Sequence, residues 1–193
     1  MSQRIVLVRH GTTEWSAAGR HTSFTDIPLT DEGRRNASAL HNALASVRAD
    51  AVWSSPSLRA YETCKLAGFE HNAVAVADLV EWNYGEYEGR TTLEIRERRP
   101  RWSLWDDGAP GGETVEAIQQ RADRLLATIQ ETQRDTLIFS HGHFSRVLAA
   151  RWLGLPARDG RLLALDPATI STLGFERDQR VLTGWNASPQ QAR

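Results

Sequence analysis

Lysine is almost missing from this chain: of the 23 basic residues among its 193, only Lys65 is not arginine. Cysteine is equally scarce, and Cys64 alone excludes an internal disulfide framework and a cysteine-held metal. No apolar run approaches the roughly 20 residues of a membrane span. Neither sign of charge is in excess, since 23 Lys+Arg face 24 Asp+Glu for a formal net charge of −1. Bulk charge therefore cannot recruit nucleic acid, and no nucleic-acid partner is expected. The N-terminus lacks the apolar stretch and small-residue cleavage site of a secretory leader, so the expectation is a cytoplasmic protein without membrane association. Any anion it handles must be held by a local cluster, for which arginine's planar, always-charged fork is better suited than a lysine point charge.

Against these absences stands an alternation of element types. Arg4-Ile5-Val6-Leu7-Val8 is a short β-branched run stopped by Arg9-His10-Gly11, which reads as a buried, central, parallel strand. Thr30 reads as an N-cap with Asp31 and Glu32 in the first turn, followed by Ala37, Leu40, Ala43, Leu44 and Val47 at helical spacing. Further strands are predicted at 51–53, 74–76 and 136–139, and two final ones at 169–175 and 180–185. Further helices are predicted at about 57–66, 114–130 and from His143 to Leu153, with Gly154 closing the last. The last eight residues read as a frayed tail. The whole reads as one domain over 1–193, with a polar insertion around 82–113 covering the active site. The fold class is α/β, with a mainly parallel central sheet.

In such sheets ligands bind beyond the C-terminal strand ends. The first strand ends at Arg9-His10, the second leads to Arg59, the third to Glu81 and the fourth to His141. Four separate segments thus deliver two His, two Arg and one Glu to one edge. Arginines and histidines converging on one place suit a tetrahedral dianion. Phosphoryl transfer needs equatorial charge stabilisation and an in-line nucleophile, and a neutral, oriented imidazole is a competent one. A carboxylic acid would protonate the leaving alkoxide and later deprotonate a water. Among the cluster members that is Glu81, with nearby Glu86 and Glu88 as alternatives.

These residues carry a family resemblance. Leu7-Val8-Arg9-His10-Gly11-Thr12-Thr13-Glu14-Trp15 resembles the signature of the histidine phosphatase superfamily, also called phosphoglycerate-mutase-like. Asp26-Ile27-Pro28-Leu29-Thr30-Asp31-Glu32-Gly33, Ser54-Ser55-Pro56-Ser57-Leu58-Arg59-Ala60, Glu81 with Gly85-Glu86-Tyr87-Glu88-Gly89, and Ser140-His141-Gly142 resemble its later motifs in order. The resemblance implies a three-layer α/β/α sandwich and no metal or organic cofactor. It implies that His10 forms a phosphohistidine, that Arg9, Arg59 and His141 hold phosphoryl oxygens, and that Glu81 donates the proton. It also brings the family's common homodimer as an expectation.

Around the pocket the chain departs from the mutases. Ser16 stands where they usually carry Asn, Ser23 where Gly is usual, and His143 where Asn is common; the stretch from Glu81 to His141 lacks their longer insertion. These departures resemble the branch of sedoheptulose-bisphosphatase-type and bacterial acid phosphatases. The expected function is a cofactor-independent phosphomonoesterase acting on a small phosphorylated metabolite, a sugar phosphate or bisphosphate. The expected substrate-binding residues are Ser16, Thr22, Ser23, Tyr84, Gly142 and His143. The rivals are a mutase and a catalytically silent phospho-ligand-binding module. Arg96–Arg101 reads first as a solvated helix face; folded over the pocket, it would recognise a second anionic group. Trp102 and Trp105 read first as packing and second as a lid. Cys64 reads as inert core.

Overall fold

The structure, a computed structural model, describes residues 3–191. A six-stranded sheet runs in the order β3-β2-β4-β1-β5-β6. Its strands are β1 (Ile5–Arg9), β2 (Ala51–Ser54), β3 (Ala73–Ala75), β4 (Thr136–Ser140), β5 (Ile170–Glu176) and β6 (Gln179–Ala187). The first four are mutually parallel, and β5 and β6 close the other edge antiparallel. The helices are α1 (Glu14–Ala17), α2 (Asp31–Leu44), α3 (Leu58–Leu66), α4 (Thr92–Arg98), α5 (Leu104–Asp107), α6 (Val115–Thr132) and α7 (Gly142–Trp152).

The layering follows from side-chain alternation in the two central strands. Ile5, Leu7 and Ile138 enter a core with Ile118, Leu125, Val147 and Trp152 of α6 and α7. Val6, Val8, Leu137 and Phe139 enter a second core with Leu40 and Leu44 of α2 and Cys64 of α3. An apolar residue at every position is what a strand covered on both faces requires. Cys64 is fully buried and its thiol is pushed up to about 12 by burial, as an inert core residue should be.

The third strand starts one residue early and lies at the sheet edge, with Val74 largely exposed. The expected frayed tail begins in ordered structure: Asn186 and Ala187 belong to β6, and the Asn186 side chain bonds Asp166 at 2.9 Å. Residues 192–193 of that tail lie outside the described residues. Three helices have no counterpart in the sequence reading. α1 starts with a capping box between Thr13 and Ser16 and α4 with one between Thr91 and Glu94, but both helices are too short to show periodicity. The 82–113 segment is tied down by Trp82, Tyr84, Tyr87, Ile95, Trp102 and Leu104, all buried in the core it shares with α6.

The turn after β1 is set by a close backbone approach. A Cβ on Gly33 would lie 2.1 Å from the Thr12 oxygen, and one on Gly11 2.6 Å from the Gly33 oxygen. The N-terminus of α2, capped by Thr30, therefore packs directly against the backbone that follows His10.

Candidate active site

A half-open cleft of about 210 Å³ lies beyond the C-terminal ends of β1 and β4, and His10, Arg9, Glu81 and Gly142 line it. The nucleophile candidate is held by backbone bonds that prolong the sheet: His10 N–H donates to the Ser140 oxygen at 2.9 Å, and Ser55 N–H to the Phe139 oxygen at 2.9 Å. The His10 ring lies 2.7 Å through Nδ1 from the Gly11 carbonyl. A carbonyl only accepts, so Nδ1 carries the proton and Nε2 keeps its lone pair. Thr63 of α3 in turn accepts from Gly11 N–H at 3.0 Å, locking that peptide. Burial, then the Arg59 and Arg9 charges, hold the His10 imidazole well below its ordinary range, so the ring is neutral.

Around this ring lie three buried nitrogens without a hydrogen-bond partner: Arg9 Nε, Arg59 Nε and His141 Nδ1. Arg59 is completely buried behind the cleft, and its outer nitrogens donate to the carbonyls of Thr22, Ser23 and Thr25 at 3.0–3.3 Å. His141, also completely buried, lies 5.3 Å from the His10 ring and 2.8 Å through Nε2 from the Ser55 hydroxyl. Its imidazole too is held well below the usual range, by burial first and then by Arg59. An unsatisfied buried donor costs about 1–3 kcal/mol. Arg9 Nε and Arg59 Nε are such donors, His141 Nδ1 joins them in the tautomer whose Nε2 accepts from the Ser55 hydroxyl, and nitrogens so placed around a neutral imidazole suit an oxyanion.

Glu81 is fixed as firmly. Its Oε1 accepts from the N–H groups of Trp82 at 2.9 Å and Phe144 at 2.8 Å, and Oε2 from His143 N–H at 3.0 Å. The last two are N-terminal amides of α7, where the helix dipole favours an anion. Oε1 has both lone pairs engaged and Oε2 has one open, so a proton on this group sits on Oε2. The backbone that delivers Glu81 is clamped by buried Arg121, which donates to the carbonyls of Asp78, Val80 and Glu81 and bidentately to Glu113. Glu88 is engaged elsewhere: its carboxylate takes the N–H groups of Ser23 and Thr25 and ties down the 21–25 loop. Nothing in that geometry favours it as the acid.

Of the expected substrate-binding residues, Ser16, Thr22, Tyr84, Gly142 and His143 line the cleft. Ser23 does not, and that expectation is corrected. It is buried, with its amide on Glu88 and its carbonyl on Arg59, because the loop turns its backbone inward to hold both. The Arg96–Arg101 run is exposed, its first part on α4, as its reading as a solvated helix face expects, and none of it folds over the cleft. Arg96 bonds the Trp102 carbonyl, Arg99 bonds the Tyr87 hydroxyl, and Arg99 and Arg101 border a separate shallow pocket. Trp102 is core. Trp105 packs 5.7 Å from Trp82 and 5.2 Å from His143, as wall packing. His141 and His143 point apart, one ring to Ser55 and the other to the Tyr84 hydroxyl at 2.7 Å.

His21 lines the cleft, as a pocket-wall residue should, while the sequence reading missed Arg20, Thr92, Arg146 and Leu165. Arg146 sits four residues after Gly142, and this i, i+4 spacing on a helix whose start was known was the one available signal. Burial lowers the pKa of His21 to about 4 and holds His143 well below the ordinary range. With His10 and His141 this makes four imidazoles that stay neutral in the native state while the unfolded chain takes up protons below pH ~6.5. The unfolded state then binds more protons, so stability is complete above that pH and is lost on acidification. A thermal-unfolding series from pH 7.5 to 4.5 should show the midpoint falling, as unfolding free energy is lost by at most about 1.4 kcal/mol per group per pH unit. A flat or rising midpoint would contradict the neutral assignment.

Fold and site together define an α/β protein whose cleft gathers Arg9, His10, Glu81 and, behind them, Arg59 and His141 at the C-terminal strand ends. A family model described as histidine phosphatase superfamily, branch 1, matches residues 5–188. An acid phosphatase of Mycobacterium tuberculosis is 43% identical over 195 residues, covering 98% of this chain and 96% of that protein. The sedoheptulose 1,7-bisphosphatase of Saccharomyces cerevisiae is 37% identical over 187 residues, covering 80% and 69%. The solved structure of a Mycobacterium tuberculosis open reading frame product superposes with a TM-score of 0.92 at 42% identity, covering 97% and 98%. The chain belongs to branch 1 of the histidine phosphatase superfamily, and its enzyme class is phosphatase.

Proposed function

We propose that the protein is a phosphomonoesterase that hydrolyses a small phosphorylated metabolite of the sugar phosphate or bisphosphate class through a phosphohistidine on His10. The observation that carries this reading is the trio of unpartnered buried nitrogens, Arg9 Nε, Arg59 Nε and His141 Nδ1, around an imidazole whose Nε2 lone pair is free.

In the first step His10 Nε2 attacks phosphorus in line and the P–O bond to the leaving alkoxide breaks. The trio takes the equatorial oxygens, where donors already in place need no reorganisation. Oε2 of protonated Glu81 gives its proton to the departing alkoxide, which leaves as an alcohol. In the second step the Glu81 carboxylate takes a proton from water, the oxygen attacks phosphorus, and the N–P bond breaks. Inorganic phosphate leaves and His10 is again neutral. Side chains of this chain and one water carry both steps, and the reading calls for no cofactor. A homodimer is an expectation carried by the family resemblance, and a cytoplasmic location one carried by the N-terminal sequence.

Phosphate release from p-nitrophenyl phosphate and from a panel of sugar mono- and bisphosphates, with chelator present, tests the reading. Release that survives the chelator supports it. Isomerised phosphoglycerate without free phosphate would instead identify a mutase. Ligand binding without turnover across the panel would identify a silent binding module.

A further inference from the structure

We propose that the Ser55 hydroxyl positions the proton of His141, giving its hydrogen to Nε2 so that Nδ1 stays a donor to the phosphoryl group. Ser55 is then a positioning residue that acts through His141. This deepens the phosphatase reading and rests on it. Ser55 and His141 follow the ends of two neighbouring strands, β2 and β4, in which Ser54 pairs with Phe139. The Ser55 N–H donates to the Phe139 carbonyl at 2.9 Å, so the sheet itself holds the two residues in register. Both are completely buried.

A hydroxyl has one hydrogen to give and two lone pairs to fill. Around the Ser55 oxygen lie His141 Nε2 at 2.8 Å, the Ser57 hydroxyl at 3.2 Å and the Ser57 N–H at 3.3 Å. The N–H only donates, which occupies one lone pair. Two arrangements remain. In the first, the Ser57 hydroxyl donates to Ser55 and Ser55 donates to Nε2, which puts the imidazole proton on Nδ1. In the second, Ser55 donates to Ser57 and accepts from Nε2–H, which leaves Nδ1 a bare lone pair. The Ser55 oxygen is fully satisfied in both, and what differs is Nδ1.

The phosphoryl group decides between them. A lone pair on Nδ1 would repel its anionic oxygens, whereas an N–H there completes the set begun by Arg9 Nε and Arg59 Nε. Burial and the Arg59 charge keep the His141 ring neutral, so it has a single proton to place. The Ser57 side chain fits the same assignment. It stands at the N-cap of α3, where a serine hydroxyl usually accepts from an amide of the first turn, and it makes no such bond. It is turned to Ser55 instead.

Nitrogen NMR of ¹⁵N-histidine-labelled protein, saturated with inorganic phosphate at about pH 7.5, reads the tautomer directly. His141 is assigned among the six histidines by the signals missing from His141→Gln. The expected spectrum has a protonated Nδ1 and a bare Nε2. A bare Nδ1, or protons on both nitrogens, would overturn the proposal. The spectrum needs no Ser55 variant, so it decides even where Ser55→Ala fails to fold. A double-mutant cycle then reads the consequence. Ser55→Ala should lower kcat/KM on the order of tenfold for alkyl and nitrophenyl esters alike, the effect of one buried hydrogen bond. In the His141→Gln background the same substitution should change it by no more than about twofold, because a glutamine amide donates without a tautomer to set. Equal losses in both backgrounds would make Ser55 merely structural and overturn the proposal. No release from any ester by the wild type would instead overturn the underlying phosphatase reading.

Discussion

Replacing His10 with alanine is expected to lower phosphate release by at least about four orders of magnitude, the scale on which removal of a covalent nucleophile acts. The other parts of the site survive the substitution. The unpartnered nitrogens of Arg9, Arg59 and His141 still bind phosphate, and Glu81 keeps its three N–H donors. What disappears is the Nε2 lone pair that the Nδ1 bond to the Gly11 carbonyl had oriented. Acid-labile, alkali-stable label from a ³²P-labelled ester should therefore appear on quenched wild-type protein and be missing from His10→Ala. The variant should still bind inorganic phosphate, which separates loss of chemistry from loss of fold. Label that persists in the variant would assign the nucleophile to another side chain.

Glu81→Gln is expected to slow esters with poor leaving groups by about 10²–10⁴-fold, the usual scale of general acid catalysis, and p-nitrophenyl phosphate by far less. The difference between substrates is the diagnostic part, because nitrophenolate departs without a proton. The local geometry adds a second consequence. Glutamine can present its carbonyl to Trp82 and Phe144, but its amide nitrogen then faces the His143 N–H that had donated to Oε2. Two donors facing each other leave a buried hydrogen bond unmade, with a stability loss of about 1–3 kcal/mol. Glu81→Gln should therefore melt at a lower temperature than the wild type as well as lose acid catalysis. Equal slowing of alkyl and nitrophenyl esters would remove Glu81 from the role of proton donor.

Much of the fold was legible because its causes are local. The uninterrupted apolar residues of β1 and β4 announce strands buried on both faces, and Thr30 and Thr114 cap α2 and α6 where a hydroxyl followed by acidic and then apolar-periodic residues predicts. The rule that parallel sheets bind at their C-terminal edge brought Arg9, His10, Arg59, Glu81 and His141 together. In the structure Arg9, His10 and Glu81 line the cleft, while Arg59 and His141 form its buried backing. Short elements were not legible. α1, α4 and α5 have too few residues for a period, and Ile95 of α4 and Leu104 of α5 are bound by a core assembled from distant segments.

Ser23 and the Arg96–Arg101 run show why residue type alone misplaces pocket walls. Either could face a ligand by composition. Ser23 is instead turned inward by Glu88 and Arg59, while Arg96 bonds Trp102 and Arg99 is engaged by Tyr87 and Asp107. Arg146 is the converse case, an ordinary helix arginine by sequence. It faces the cleft only because the carbonyls of Gly160 and Arg161 and the ring of Trp105 hold it there.

By itself, then, the sequence determined the sheet's central strands, the helix starts, and the chemical identity of the groups at the strand ends. Those follow from period, capping and motif, which act over a few residues. Only the tertiary structure decided which nitrogen of His10 is free, that three buried nitrogens around it lack partners, that Glu81 sits on the first amides of α7, and which arginines reach the cleft. The physical reason is that hydrogen-bond satisfaction and desolvation depend on contacts between segments as far apart as Glu81 and Phe144, or Arg9 and Leu165, which no local pattern records.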